Sequence, residues 1–274
     1  MCDKALVILS GGQDSTFCLG LSVRDYGAKN VIALTFNYGQ THARELNAAA
    51  TVAAFYGVRH EVVDVPGVLL STSPLTDRTQ ELEQYETAEQ MDKIIGDRVE
   101  KTFVPMRNAF FLTLAANRAV AWGCGTLVTG VCQDDNANYP DCRAGFIEAQ
   151  EEAINAALGL TRLQDQLVIW APLMYLSKPD QVREGLRVPG VYEAWAHSHT
   201  AYDGQYPPIG RDHATVLREA AFEEAGVPDP LVARAVFDGL MDVPHTDNYD
   251  IICGDSPLVQ SLPVLVAYVT EGQG

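Results

Sequence analysis

Residues 5 to 20, ALVILSGGQDSTFCLG, constrain this chain more than any other stretch. An apolar run feeds Ser10-Gly11-Gly12-Gln13-Asp14-Ser15-Thr16, and helical spacing resumes beyond it. Two adjacent glycines let the backbone turn sharply and approach an anion closely. A strand that ends in such a turn and runs on into a helix brings successive N–H groups, hydroxyls and a helix N-terminus to one point, which makes a cradle for phosphate. The loop has neither the GK[ST] ending of a Walker loop nor the GxGxxG spacing of dinucleotide binders, which weighs against a P-loop NTPase or a dehydrogenase. The competing reading is an ordinary Gly-Gly turn capped by Asp14 or Ser15, and the strand before and helix after weigh against it.

A chain of 274 residues suffices for one large α/β core, or for a core with a smaller appended domain. Nineteen basic against 36 acidic residues leave a formal net charge of −17. Such a field repels polyphosphate polymers, so no nucleic-acid partner is expected. A cradle of N–H groups with a few cations acts at short range, where salt screens the distant charge, so a small anionic ligand remains compatible with this balance. Six scattered cysteines, Cys2, Cys18, Cys124, Cys132, Cys142 and Cys253, form no CxxC pair and suit a reducing cytoplasmic setting. No run of 18 apolar residues is present, and residues 1 to 20 hold a polar cradle instead of a signal peptide. No membrane partner is expected. The tail SPLVQSLPVLVAYV, broken by Pro263, reads as a core or interface segment.

Along the chain, short apolar runs alternate with helical patterns: KALVIL, the helix after the cradle, NVIALTF, THARELNAAATVAAFYG and RHEVVDV. That rhythm predicts a parallel sheet with right-handed crossovers and helices on both faces, and a ligand site at the carboxyl ends of the strands. RNAFFLTLAANRAVAWG continues as a helix, and GTLVTGV and QLVIWAPL as buried strands. Residues 66–102 turn polar and acidic and read as a flap near the site. From about Pro189 the strand rhythm fades and helix signals return at HATVLREAAFEEAG. The expected organisation is a nucleotide-binding core over 1–188 and a helical C-terminal region over 189–274.

Five further blocks stand in order after SGGQDST: TFNYGQTHARE, FVPMRNAFFLTLAA, GVCQDDNANYPDCRAGF, APLMYLSK, and TAYDG with LREAAFEEAGVPDP. The loop resembles the SGGxDS motif of the ATP pyrophosphatases, which split ATP between its α and β phosphates. The ordered set, over roughly residues 4 to 230, resembles the 7-cyano-7-deazaguanine synthase family. The resemblance implies an adenine nucleotide α-hydrolase-like fold and a homodimer. It also implies an ATP- and Mg²⁺-dependent ligase that joins 7-carboxy-7-deazaguanine to ammonia, releases AMP and pyrophosphate, and dehydrates the amide to the nitrile.

A carboxylate is a poor electrophile; attack of its oxygen on the α-phosphate of ATP gives an acyl-adenylate that an amine can open, and charge on the leaving pyrophosphate must be neutralised. The N–H groups from Gly11 through Gly12, Gln13 and Asp14 to Ser15, the hydroxyls of Ser10, Ser15 and Thr16, and the cations of Lys178 and Arg107 are the candidates for this. Asp14 holds Mg²⁺ or braces the loop. A helix cap is the competing role for Arg107-Asn108, and a solvated charge at a helix start the competing role for Lys178. Phe36, Tyr38 and Gln40, with His42 and Glu45, fall in the block matching the family's YGQxHxxE pattern, where nucleotide-binding or loop-bracing roles apply. For the deazaguanine the choice falls on Asp135, Tyr139, Asp141 and Arg143: carboxylates suit guanine-like N–H donors, an aromatic ring suits the face, and Arg suits the exocyclic carboxylate. Asp134 and Asp141 are equally suited to capping turns.

The family closes with four zinc-binding cysteines, one in TCYxG and three in CGxCxxC. Here those positions hold Ala201, Ile209, Asp212 and Thr215. Structural zinc needs four N or S donors, so the family's metal is not expected. A rebuilt set of His197, His199, Asp212 and His213 is the competing arrangement, since HxH on an extended segment points both rings to one face. Structural zinc contributes ~10 kcal/mol or more to a small module, so hydrophobic contacts and the extra residues 231–274 are expected to substitute. The rebuilt region opens two alternatives to the family reaction: transfer of the deazaguanine to a protein amine, as superfamily members in phage-defence systems look equipped to do, or a silent nucleotide-binding subunit. Thiolation of tRNA calls for a basic surface and reactive cysteine pairs, which this chain lacks. Elemental analysis of the purified protein is expected to find no stoichiometric zinc; one tightly held zinc per chain would promote the histidine set to ligands.

Overall fold

The computed structural model describes residues 4–40, 44–69, 71–77, 79–133 and 138–250. Five strands, β1 (Ala5–Ile8), β2 (Val31–Asn37), β3 (Arg59–Asp64), β4 (Thr126–Val128) and β5 (Val168–Trp170), form one sheet in the order β3-β2-β1-β4-β5. All neighbouring pairs are parallel. The expected doubly covered parallel sheet is therefore what the chain builds. Each crossover carries a helix: α1 (Gln13–Tyr26), α2 (Arg44–Phe55), then α3 (Ala88–Ile95) with α4 (Arg107–Trp122), then α5 (Ala144–Ala157). Beyond β5 follow α6 (Lys178–Gly185), α7 (Val191–Trp195), α8 (His213–Ala225) and α9 (Pro230–Phe237). No described helix is long and apolar enough to cross a membrane.

Alternation along β1 sends its residues to two different cores. Ala5, Val7 and Leu9 join Phe17, Leu19, Val52, Trp195 and Phe222 on one face. Leu6 joins Leu112, Ala115 and Ala119 of α4 and Ile147 and Ile154 of α5 on the other. With both faces covered, the strand reads as continuous apolar sequence. Trp195 and Phe222 lie beyond the boundary expected at 188, so the packing runs across it. Trp195 meets Phe17 and Phe222 edge-on, with ring centroids 5.8 and 5.6 Å away, and its Nε1 donates to Gln13 O at 2.9 Å.

Within the polar segment read as a flap, Leu75 lines the cavity described below, and the part from Tyr85 to Ile95 packs against α8. Tyr85, Met91 and Ile95 bury against Val216 of α8, and Tyr85 N donates to Arg211 O at 2.8 Å. The apolar positions of α3 are few but fall on one face, which suffices for docking one short helix.

Around Asp212 and Thr215, two of the positions at which the resemblance implied cysteines, polar side chains tie the segments together. Asp212 caps α8, its Oδ1 accepting from Thr215 N at 2.9 Å, while its Oδ2 accepts from Tyr202 N at 2.8 Å. One carboxylate thus joins the start of α8 to the segment around Tyr202, next to Ala201. Next to it, Arg218 and Asp229 form a fully buried bidentate pair at 2.6 and 2.7 Å, and Arg218 also donates to Ser198 Oγ, Thr200 Oγ1 and Trp195 O. The histidines do not converge as a ligand set: His199 Nε2 meets Ala201 O at 2.9 Å and His197 packs against Phe55. Among the described residues no group of three or more potential ligands could hold a metal ion. The expected hydrophobic substitution is therefore supplemented by a buried polar network. The tail around Leu262 to Val269, read as a candidate dimer contact, lies outside the described residues.

Removing one partner of a buried ion pair leaves an uncompensated charge. Arg218→Ala is expected to lower the unfolding free energy by about 3–5 kcal/mol in urea titration, and the double variant Arg218→Met with Asp229→Leu to recover most of that loss.

Candidate active site

A cavity of about 270 Å³ opens at the carboxyl ends of β1, β2 and β4. Ligand sites of open parallel sheets fall where the chain leaves neighbouring strands in opposite directions, and β1, between β2 and β4, is such a point. Ser10 follows β1, Phe36 ends the buried part of β2, and Thr129-Gly130 follow β4; all four line the cavity.

The glycine-rich loop is fixed by its own hydroxyls. Ser15 Oγ donates to Gly12 O at 3.1 Å, lies 3.0 Å from Ser10 Oγ and accepts from Ser10 N at 3.2 Å. Gly12 N donates to Ser10 Oγ at 3.3 Å. Gly11 has φ +88°, and a Cβ there would stand 2.5 Å from Glu45 O and 2.7 Å from Ala49 N of α2. A Cβ on Gly130 would stand 3.2 Å from Ser15 N. Backbone therefore closes on the loop from both sides, and no side chain fits at Gly11. The N-cap of α1, Gly12, brings no side-chain acceptor to the first helical turn. Those N–H groups are the ordinary docking point for an anion. Gln13 Nε2 and Thr16 Oγ1 are buried without a hydrogen-bond partner, and Gln13 lines the cavity. An orphaned donor beside a helix N-terminus fits a phosphate-bearing ligand such as ATP.

Lys178 opens α6, whose N-cap Ser177 accepts from Asp180 N at 3.3 Å. Its side chain, 9% exposed, reaches across to Asp14 Oδ2 at 2.7 Å. The pair sets one cation and one carboxylate at the cradle.

The opposite end of the cavity is built around Arg107. Met106, at φ 64°, turns the chain into α4 in the left-handed region, which is uncommon for a residue other than Gly. The cap itself comes from a distance: Asp141 Oδ2 accepts from Asn108 N at 3.2 Å, and Asn108 Nδ2 donates to Asp141 O at 3.2 Å. This frees Arg107 from the capping role and leaves it in the cavity wall. Burial works against its cation, but Tyr38, Tyr139, Tyr202 and Asp141 around it outweigh that cost and raise its pKa. Burial also pushes Tyr38 up to about 12, with the nearby Glu45 adding to the shift, and pushes Glu45 itself up to about 7 against the pull of Arg107. Phe36 stacks on Phe111 at 4.5 Å, with Tyr38 tilted against the same ring at 5.4 Å.

The cavity brings together Ser10, Gly12, Gln13, Asp14, Ser15, Phe36, Tyr38, Gln40, Arg107, Tyr139 and Lys178 from the expected set. Gln40 spends its amide on the turn, accepting from Tyr38 N at 3.0 Å and donating to Phe36 O at 3.4 Å. Tyr139 lines the wall while its hydroxyl meets Thr102 and Glu100. Asp141 and Arg143 do not line the cavity: Asp141 holds the start of α4, and Arg143 donates to Gln133 O at 2.7 Å and Asn138 Oδ1 at 3.3 Å, bracing the loop after β4. Burial raises the pKa of Asp141 against the pull of Arg107. His42, Asp134 and Asp135 lie outside the described residues. The wall also contains Thr200, Tyr202, His213 and Arg218, which sequence reasoning passed over because it weighed that region only as a metal site. The aromatic and polar residues packed into HSHTAYDG were the available signal.

The family described as Queuosine biosynthesis protein QueC matches residues 4–226. A 7-cyano-7-deazaguanine synthase of Chromobacterium violaceum is 44% identical over 233 residues, covering 85% of this chain and 94% of the relative. Another from Gloeobacter violaceus is 45% identical over 231 residues, covering 83% and 95%. Among solved structures, the U34-tRNA thiolase NcsA from Methanococcus maripaludis with its [4Fe-4S] cluster aligns at 18% identity and a TM-score of 0.40, covering 92% of this chain and 76% of that one. The breadth of the family match and the identity to relatives across nearly their whole length place this chain in the QueC family.

Proposed function

We propose that this protein adenylates the carboxylate of 7-carboxy-7-deazaguanine with ATP, releasing pyrophosphate, that ammonia displaces AMP to give the amide, and that a second ATP adenylates the amide oxygen, again releasing pyrophosphate, so that this oxygen leaves with AMP as the amide loses its protons to become the nitrile. The observation that carries this reading is the two-ended cavity. One end offers backbone N–H groups, serine hydroxyls and Lys178, which suit phosphates; the other offers Arg107 among three tyrosines, which suits an aromatic acid. The relatives named as 7-cyano-7-deazaguanine synthases support the choice of acid.

The cradle residues hold their donors in place before any substrate arrives, because Ser10 and Ser15 are already bonded to each other and to the loop. Donors fixed beforehand stabilise developing charge without reorganisation. Lys178 lies where charge on a leaving pyrophosphate would need a counter-charge. Arg107 orients the substrate carboxylate, and the aromatic floor of Phe36 and Phe111 excludes water from the reacting oxygen. Asp14, the cradle's carboxylate, would help hold Mg²⁺ arriving with ATP; the ion supplies further neutralisation of phosphate charge.

Incubation with Mg·ATP, 7-carboxy-7-deazaguanine and ammonium is expected to yield AMP and pyrophosphate in a deazaguanine-dependent manner. Production of ADP would sink the assignment. Asp14→Ala and Ser15→Ala are each expected to cut turnover on the order of a hundredfold. Parallel reactions with candidate acceptor proteins, weighed intact by mass spectrometry, distinguish ammonia from a protein amine as the nucleophile.

A further inference from the structure

Glu45 is a carboxylate of the cavity wall that the reading above leaves unused. The neighbouring acids are committed: Asp14 pairs with Lys178, Asp141 caps α4, and Glu100 accepts from Thr102 N at 2.6 Å. Glu45, in the first turn of α2, accepts no hydrogen bond and forms no ion pair among the described residues. Half-buried carboxylates without donors are costly, and burial of this one leaves it near half-ionised at neutral pH. Its main-chain carbonyl passes close to Gly11, while the residue lines the cavity with Tyr38, Arg107 and Tyr202 and its carboxylate feels the Arg107 cation.

Resting on the proposed substrate, the missing donors have a specific form. A 7-deazaguanine ring presents N1–H and an exocyclic 2-amino N–H side by side and nearly parallel, which two carboxylate oxygens accept as a bidentate pair. We infer that Glu45 reads this N1–H and 2-amino edge, leaving O6 and the 7-carboxylate on the adjoining side to Arg107. The nearby tyrosines then meet the ring face. This moves base recognition from the loop after β4, where Asp141 and Arg143 are structural, to the start of α2.

The assignment carries a proton. Only the ionised carboxylate accepts both bonds, so binding draws Glu45 to its charged form and releases protons near pH 7. Affinity should rise with pH until Glu45 is ionised in the free protein, and fall about tenfold per pH unit well below that point. The groups facing Glu45 are Tyr38 beyond β2 and Arg107 on α4, neither of which changes charge in this range. Asp14, Lys178, His199, Tyr202 and His213 line the rest of the cavity, and comparison with a Glu45 variant subtracts their contribution.

Titration calorimetry of the full chain with 7-carboxy-7-deazaguanine, in buffers of different ionisation enthalpy, tests this. The wild type is expected to bind, to release protons at pH 7, and to bind the analogue lacking the 2-amino group at least about tenfold more weakly. E45Q is expected to weaken binding on the order of thirtyfold, to lose the preference for the 2-amino group and to release no protons. Unchanged binding of a non-hydrolysable ATP analogue by E45Q shows that its fold is intact. Equal binding of the two ligands by the wild type would overturn the role of Glu45 while leaving the functional reading in place, and that comparison needs no variant. Wild-type affinity and 2-amino preference in E45Q would overturn it equally. Failure of the wild type to bind 7-carboxy-7-deazaguanine at all would overturn both.

Discussion

Everything at the active end of this molecule depends on how closely the main chain of α2 passes the first glycine of the cradle. At Gly11 a single extra carbon would stand 2.5 Å from the carbonyl of Glu45. So close a passage admits only glycine at the turn, the turn leads into the first N–H groups of α1, and Gly130 closes the other side. The sheet order follows the same requirement, since β1 must lie between β2 and β4 for both backbones to reach it. A hydroxyl pair then suffices to hold the loop, because the backbone has already removed its alternatives.

The fold was largely readable in the linear order of residues. Runs such as KALVIL and NVIALTF are apolar on both faces, which only a strand covered on two sides tolerates, and the helical stretches between them supply the covers. The cradle was readable because its chemistry is local: seven consecutive residues carry the turn, the hydroxyls and the helix start. Lys178 lies 164 residues from Asp14, so their 2.7 Å pairing came within reach of sequence reasoning only through an ordered set of motifs.

The end of the cavity proposed for the base was less legible, for a physical reason. Asp141 and Arg143 have the right functional groups for a guanine, but buried backbone groups must be satisfied too, and Asp141 serves the first turn of α4 while Arg143 serves the loop after β4. Glu45 read only as a nucleotide-binding or loop-bracing member of its block, because the Arg107 that shares its cavity comes from α4, distant in sequence. The C-terminal wall was obscured in the same way. Its polar residues were weighed against a metal, whereas they fold into a capped helix and a buried ion pair whose outer atoms also border the cavity.

Asp229 lies three residues past the end of the family match, yet it supplies the counter-charge for Arg218, inside the matched region and in the cavity wall. The consequence is a wall whose charge balance spans two segments of chain. An arginine sealed in the interior commits the molecule to carrying its partner acid, so the helix that holds Arg218 and the turn that holds Asp229 stand or fall together. A chain ending at residue 226 would keep every residue of the cradle and lose the electrical neutrality of the cavity wall.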